Sequence, residues 1–321
     1  MDERRIGGNP PMQILITGGT GFVGHHLARL LINRGHDLRI LVRESSSHKL
    51  LEDLTNIKFV HGDITQPKTL ANIASDVDCV VHLIGIIREN PREGITFEEI
   101  HTDGTQNMIR AAQAAGVRRW IQMSALGTRP NAIARYHRTK WAAEEIVRAS
   151  NLEYTIFRPS IIYGNRGAFT EQLVEMVRKA PFIPVIGGGG GMLQPIHVDE
   201  VCACFISSIE SNTPLNNVFE LGGPDRLRFH EIVEFVAEVM EEKKRRAPIP
   251  MPVAKALFGI MNAVGFAPGG TPPPSHDQLI MLGEENICDI APLEKVFGLT
   301  PRPFRDNYRP IIEACVQAEW T

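Results

Sequence analysis

A chain of 321 residues with a net charge of −3 can bury a large core, as one big domain or two smaller ones, and carries no broad basic field for nucleic acid. Its five cysteines, Cys79, Cys202, Cys204, Cys288 and Cys315, are odd in number and scattered. No His or Cys cluster beside Cys202 and Cys204 completes a zinc site, so reduced buried thiols and no metal are expected.

Residues 1–11 are charged, then rich in Gly and Pro, without the apolar core of a signal peptide; they read as a disordered extension. No run of about 18 apolar residues appears, so no segment is expected to span a membrane. From residue 12 onward strand and helix patterns alternate. Strands are predicted at 13–17, 37–42, 57–61, 79–84, 120–124 and 154–158, and helices at 22–34, 46–54, 67–73, 96–115, 136–149 and 169–179. Short apolar runs between amphipathic helices predict an α/β fold, a doubly wound parallel sheet covered on both faces. After Tyr163 the pattern loosens. A glycine tract at 187–191 predicts a flexible loop, followed by a strand and helix within 194–209, a strand at 218–221 and a helix at 229–242. The expected division is a nucleotide-binding domain at 12–165, rejoined by 193–226, and a smaller C-terminal substrate lobe from 166–192 and 227–321.

The most informative stretch is ILITGGTGFVG, residues 14–24. A strand runs into Gly18, Gly21 and Gly24 at G-x-x-G-x-x-G spacing, and an amphipathic helix follows at once. The first glycine permits a tight turn, the second lets backbone N–H groups approach a pyrophosphate, and the third lets helix and strand pack closely. The next strand ends at Arg43, with Ser45, Ser46 and Lys49 behind it. A guanidinium there suits a 2′-phosphate and favours NADP(H) over NAD(H), where an acidic residue would have bound the ribose hydroxyls; the alternative is a solvated arginine. Asp63 follows the third strand. It either accepts the adenine amino group, with the Ile64 backbone beside it, or caps its own turn. Gly85, past the fourth strand, either admits the cofactor ribose or serves a turn.

Tyr136 and Lys140 stand four apart at the start of a helix and share a face, and Ser124 ends the preceding strand. An ammonium near a phenol favours the phenolate and lowers its pKa from about 10. The tyrosine then exchanges a proton with a carbonyl or carbinol oxygen while nicotinamide exchanges hydride, and the serine hydroxyl steadies that oxygen.

TGGTGFVG, Ser124 and Tyr136-x-x-x-Lys140 resemble the short-chain dehydrogenase/reductase superfamily. FRPSIIYG (157–164), QPIHVDEV (194–201) and ELGGP (220–224) resemble its extended and atypical branches. HTDGTQN, RYHRTKWAAEE and HDQLIMLGEENI further resemble bacterial relatives of the NADPH-binding accessory subunit of respiratory complex I, often labelled NAD-dependent epimerase/dehydratase. The resemblance implies a Rossmann fold and a tightly held nicotinamide nucleotide. It places Thr20, Phe22, Val23, Leu83 and Pro159 against the cofactor beside the residues above.

Two departures from the superfamily stand out. The serine-to-tyrosine segment is shorter than in sugar-nucleotide epimerases. His101 stands where many members place a helix-kinking Asn; it either relays a proton or faces the core. The stretch at 253–267 is apolar with one lysine. It suits a membrane surface or a partner groove, or packs inside the substrate lobe. Its Leu257, Phe258, Ile260, Met261 and Phe266 hint at a lipophilic, quinone-like substrate.

Three functions are therefore expected, in order. The first is an NADP(H)-dependent oxidoreductase of a carbonyl or carbinol, with Ser124, Tyr136 and Lys140 catalytic. The second is a non-catalytic accessory or assembly protein of a respiratory NADH:quinone oxidoreductase. The third is a nucleotide-sugar epimerase or dehydratase. The expected setting is cytoplasmic or peripheral at the inner face of the membrane, as monomer or homodimer.

Overall fold

A computed structural model describes residues 10–210, 216–264 and 273–317. Seven strands form one sheet: β1 (Gln13–Thr17), β2 (Asp37–Val42), β3 (Ile57–His61), β4 (Cys79–His82), β5 (Arg119–Met123), β6 (Glu153–Pro159) and β7 (Asn217–Leu221). Their order is β7-β6-β5-β4-β1-β2-β3, and every pairing is parallel. The order reverses between β1 and β4, which opens a crevice at the carboxyl ends of those strands.

Period-two alternation sorts the interior onto two faces. Ile14 and Ile16 of β1 face one core, with α1 (Phe22–Asn33), whereas Leu15 faces the other, with α2 (Gly104–Ala114) and α3 (Arg135–Arg148). The chain then leaves the sheet in α4 (Ala168–Lys179) and returns in α5 (Val198–Glu210), which packs beside α1. Past β7 follow α6 (Phe229–Val239), α7 (Met251–Ala263), α8 (His276–Gly283), α9 (Ala291–Phe297) and α10 (Phe304–Gln317). α4, α6 and α10 build a third apolar cluster around Tyr163, Phe304 and Tyr308. α8 is capped reciprocally: Gln278 N donates to Ser275 Oγ at 3.2 Å, and Ser275 N to Gln278 Oε1 at 2.8 Å.

The first three strands lie where the apolar runs predict them. Both predicted helices after β2 and β3 shrink to single 3-10 turns, Lys49–Leu51 and Pro67–Leu70, each burying one leucine. The long helix predicted at 96–115 is interrupted: Glu98–Asp103 winds as a π-helix before α2 begins. The glycine tract, predicted as a loop, winds through a short turn at Gly187–Gly189 and is tied down at its end. Gly191 N donates to Leu282 O at 3.0 Å, and a Cβ on Gly191 would stand 1.9 Å from Glu284 O, so the tract is clamped against the end of α8. All five cysteines are buried. The predicted N-terminal extension falls, but for Pro10 and Pro11, on residues outside those described.

Candidate functional site

The glycine turn sits at the switch point. Gly18 has φ of +74°, and a Cβ on Gly24 would lie 2.2 Å from Gly18 O, so helix and turn meet only because both lack side chains. Gly21 is the N-cap of α1. No side chain caps that end and no acidic residue lies in its first turn. Backbone N–H groups near Phe22, Val23 and Gly24 are thus left for an anion, as a pyrophosphate requires. Thr20 and Phe22 are half-buried beside them, and Val23 is buried.

Lys140 is buried between the ends of β4 and β5. Its Nζ donates to Ile84 O at 3.4 Å and to Met123 O at 3.3 Å. A Cβ on Gly85 would stand 2.7 Å from that nitrogen, so the β4 loop closes tightly over the lysine. Burial pulls the ammonium down to about 8, against the opposing pull of Glu144.

Tyr136 packs edge-on against Phe97 and His101, with ring centroids at 5.8 and 5.4 Å. Among the described residues its hydroxyl has no hydrogen-bond partner. The expected lysine effect on the phenol is not there: the ammonium points at two carbonyls, and burial alone pushes the phenol up to about 12. Tyr136 is therefore a proton-bearing phenol at neutral pH.

Ser124 also differs from expectation. Its hydroxyl donates to Glu144 Oε1 at 2.6 Å. A single proton cannot simultaneously go to a substrate oxygen, so with that bond in place Ser124, which also lies 3.4 Å from Thr128 Oγ1, can meet a ligand only as an acceptor. Glu144 is fully buried and accepts two further bonds from Arg158, at 2.8 and 2.7 Å, and one from Arg148 at 2.6 Å. Sequence reasoning passed over Glu144 and Arg158. The signal available was the next step of the same helical stripe, Tyr136, Lys140, Glu144.

His101 faces the core. Ile86 N–H donates to its Nε2 at 3.0 Å, so Nδ1 carries the proton and donates to Thr139 Oγ1 at 2.9 Å. Both nitrogens are used, and burial pushes the imidazole down to about 2, so it is neutral. His82 is likewise held neutral, between Thr17 and Thr105, with burial pushing it to about 3.

The remaining predicted residues divide. Asp63 Oδ1 accepts from Thr65 N and Oγ1, both at 2.8 Å, the turn-capping arrangement. Ile64 is buried against Gly104, and its carbonyl accepts from Asn107 at 2.8 Å. Leu83 N donates to Thr17 O at 3.1 Å, and Pro159 O accepts from Leu126 N at 2.9 Å; both hold the strand ends that line the crevice. Arg43 is exposed just past β2, with no side-chain partner among the described residues. A clasp from the C-terminal segment closes the other side. Asp277 Oδ2 accepts from Tyr136 N at 2.9 Å, Glu284 pairs bidentately with Arg129, and Asn286 bridges Ser160 and Leu126.

A profile of the NAD dependent epimerase/dehydratase family matches residues 14–222, from the first strand through the seventh. The chain belongs to that family. Among curated members and relatives, it is 31% identical over 261 residues to the mitochondrial NADH dehydrogenase [ubiquinone] 1 alpha subcomplex subunit 9 of Arabidopsis thaliana, covering 78% of this chain and 64% of that one. It is 33% identical over 252 residues to a ceramide reductase of Caulobacter vibrioides, covering 78% and 77%. In fold it matches the dTDP-glucose 4,6-dehydratase DesIV of Streptomyces venezuelae, solved with NAD bound, at a TM-score of 0.75 and 19% identity over 96% of this chain and 98% of that one. The chain thus spans under two thirds of the Arabidopsis subunit. The family is NAD(P)-dependent, which fits the uncapped glycine turn and the buried lysine. Among the described residues no group of three or more His, Cys, Asp or Glu is placed to hold a metal, and no helix is long and apolar enough to cross a membrane.

Proposed function

We propose that this protein is an NADP(H)-dependent oxidoreductase that reduces a carbonyl on a lipophilic substrate. One observation carries the reading: a phenol with no hydrogen-bond partner among the described residues stands on the same helical face as a buried lysine at the switch-point crevice. A nicotinamide bound there supplies the hydride. Tyr136 donates its proton to the substrate oxygen, and the neutral phenol is the right form for that direction. Ser124, its own proton committed to Glu144, accepts from the hydroxyl that forms. Lys140 holds the nicotinamide ribose. Arg43, exposed and unpaired, meets the 2′-phosphate and sets the preference for NADP(H). Residues 166–192 and 227–321 form the substrate lobe, and the setting is cytoplasmic or peripheral at the inner membrane face. The ceramide reductase likeness supports a lipid carbonyl.

The likeness to a subunit of a respiratory NADH dehydrogenase favours a second reading, an accessory protein whose nucleotide is held and not turned over. One experiment separates them. Nucleotide released from the purified protein is identified by mass, and NADPH oxidation is followed with long-chain ketones. Turnover that falls about 10²-fold or more in Tyr136→Phe supports the oxidoreductase. A bound nucleotide without turnover, together with a copurifying respiratory complex, supports the second reading, and released NAD in place of NADP overturns the role of Arg43.

A further inference from the structure

Glu144 stands one turn past Lys140 on the same stripe of α3 and is fully buried. Its carboxylate is saturated. Oε1 accepts from Ser124 Oγ at 2.6 Å and from Arg158 Nε at 2.8 Å. Oε2 accepts from a guanidinium nitrogen of Arg158 at 2.7 Å and from one of Arg148 at 2.6 Å. An ionised carboxylate only accepts, so it fixes the direction of the Ser124 bond; Thr128 Oγ1, at 3.4 Å, is the weaker partner. The two arginines are held in turn. Both lie over the Trp141 ring, at 4.8 and 5.7 Å, and Arg148 pairs with Glu145 and Arg158 with Glu220.

Lys140 has no such partner. Its two acceptors are neutral carbonyls. The ionisable groups that act on it or share its pocket are His82 from β4, His101 from the π-helix, and Tyr136 and Glu144 from its own helix. The two histidines and the phenol are neutral. Among the described residues Glu144 is thus the charge that favours the ammonium against its burial.

We propose that Glu144 is a positioning residue, which makes the Ser124 hydroxyl an acceptor through a direct bond and keeps Lys140 an ammonium through its charge; the part of Ser124 in turnover rests on the oxidoreductase reading above. The consequence is a choice between substrate oxygens. A hydroxyl oxygen accepts from Tyr136 and donates to Ser124, whereas a carbonyl oxygen meets one donor and one set of lone pairs. The site therefore holds the alcohol better than the ketone. Glu144→Gln reverses that polarity. The amide oxygen belongs at the Oε2 position, where two guanidinium groups converge, so the amide NH2 faces Ser124 and donates to it, at the cost of the Arg158 Nε bond. The serine proton is then free for a carbonyl oxygen.

The test uses the full chain and reads the binding of NADPH, and of NADH, by their fluorescence from about pH 6 to about pH 10, without turnover. With Lys140 holding the ribose as an ammonium, affinity falls as that group loses its proton, near 8 in the wild type. Glu144→Gln should move this midpoint down, and Glu144→Asp, which keeps the charge, should leave it in place. Arg148→Gln removes a cation beside Glu144 from a partly exposed position and should move the midpoint up, so the test stands if Glu144→Gln does not fold. A merely structural glutamate moves no midpoint, and unchanged midpoints overturn the proposal. Turnover gives the second readout. Glu144→Gln should lower KM for a ketone roughly fivefold and weaken inhibition by the matching alcohol by a similar factor, the worth of one hydrogen bond. A fall in kcat with both constants unchanged overturns the assignment of Ser124 as acceptor. Wild-type protein that binds the nucleotide and turns over no ketone sinks the oxidoreductase reading, and the midpoints alone then decide the role of Glu144.

Discussion

Helices α3 and α7 are nearly equal in length, fourteen and thirteen residues, and opposite in what they bury. α3 is rich in polar residues, yet it buries Tyr136, His137, Thr139, Lys140 and Glu144. α7 is almost wholly apolar, yet it buries only Ala254. Ordinary packing would reverse both. Three of these side chains are buried with partners: Glu144 with Ser124 and two arginines, Thr139 with His101, Lys140 with two carbonyls, whereas the Tyr136 hydroxyl and the His137 ring nitrogens have no hydrogen-bond partner among the described residues. Apolar side chains stay outside on α7 because no part of the described chain meets them. The first inversion gathers the polar residues at the crevice, and the second leaves an apolar face that no described residue covers.

The largest effect that could break this comparison is at Glu144. Glu144→Ala would leave half-buried Arg158 with Glu220, at 3.6 Å, as its remaining carboxylate, and Ser124 without the acceptor it has in fully buried Glu144. Removing one partner of a buried ion pair costs roughly 3–5 kcal/mol when the other charge is stranded, and about 2–3 kcal/mol is expected here because Arg158 keeps Glu220 and Arg148 keeps Glu145. Urea unfolding should show a loss of that order. A loss under about 1 kcal/mol would mean that the cluster is solvated and that α3 is not the polar core described here.

How much of this was legible beforehand follows the same division. β1, β2 and β3 were readable to the residue, because an apolar run between turns has few other ways to be buried. The two helices expected after β2 and β3 were not. Leu51 and Leu70 are the sole buried residues of their turns, too few to hold a longer helix on the sheet. In the site, spacing put Tyr136 and Lys140 on one face, but spacing cannot say where an ammonium points. The direction of the phenol's shift therefore came out reversed. Ser124 was visible; its commitment to Glu144 was not, because burial of a lone glutamate is set by Arg158, fourteen residues further along the chain. On α7 the apolar pattern was plain, and only packing could decide that it faces outward. The residues 265–267 of that stretch, Phe266 among them, lie outside those described.

A middle-sized effect sharpens the first half of the comparison. His82 and His101 are buried and neutral, with burial pushing them from 6.5 to about 3 and about 2. Below pH 6.5 the unfolded chain takes up a proton on each, and the folded chain does not. Stability is thus complete above that point and falls with acidification, by roughly 1 kcal/mol per pH unit for each histidine, through a window that ends near their folded values. Urea midpoints from about pH 7 to about pH 4 should show this slope, and His101→Asn should flatten part of it. Identical slopes in the variant and the wild type would show that His101 protonates in the folded state.

The smallest effect bears on α7 and is the most discriminating for its size. Leu257 is 46% exposed, and the helix buries almost nothing, so Leu257→Gln should change unfolding free energy by no more than about 0.5 kcal/mol in dilute solution. A leucine that packed inside a substrate lobe would cost about 2 kcal/mol or more on the same change. The two outcomes are separated by more than the error of a urea titration. A near-zero result places the apolar face outside the folding energetics of the chain, where only an external surface can use it. A large loss would mean that the helix packs in solution more deeply than its exposure indicates, and α7 would then be an ordinary part of the lobe's core.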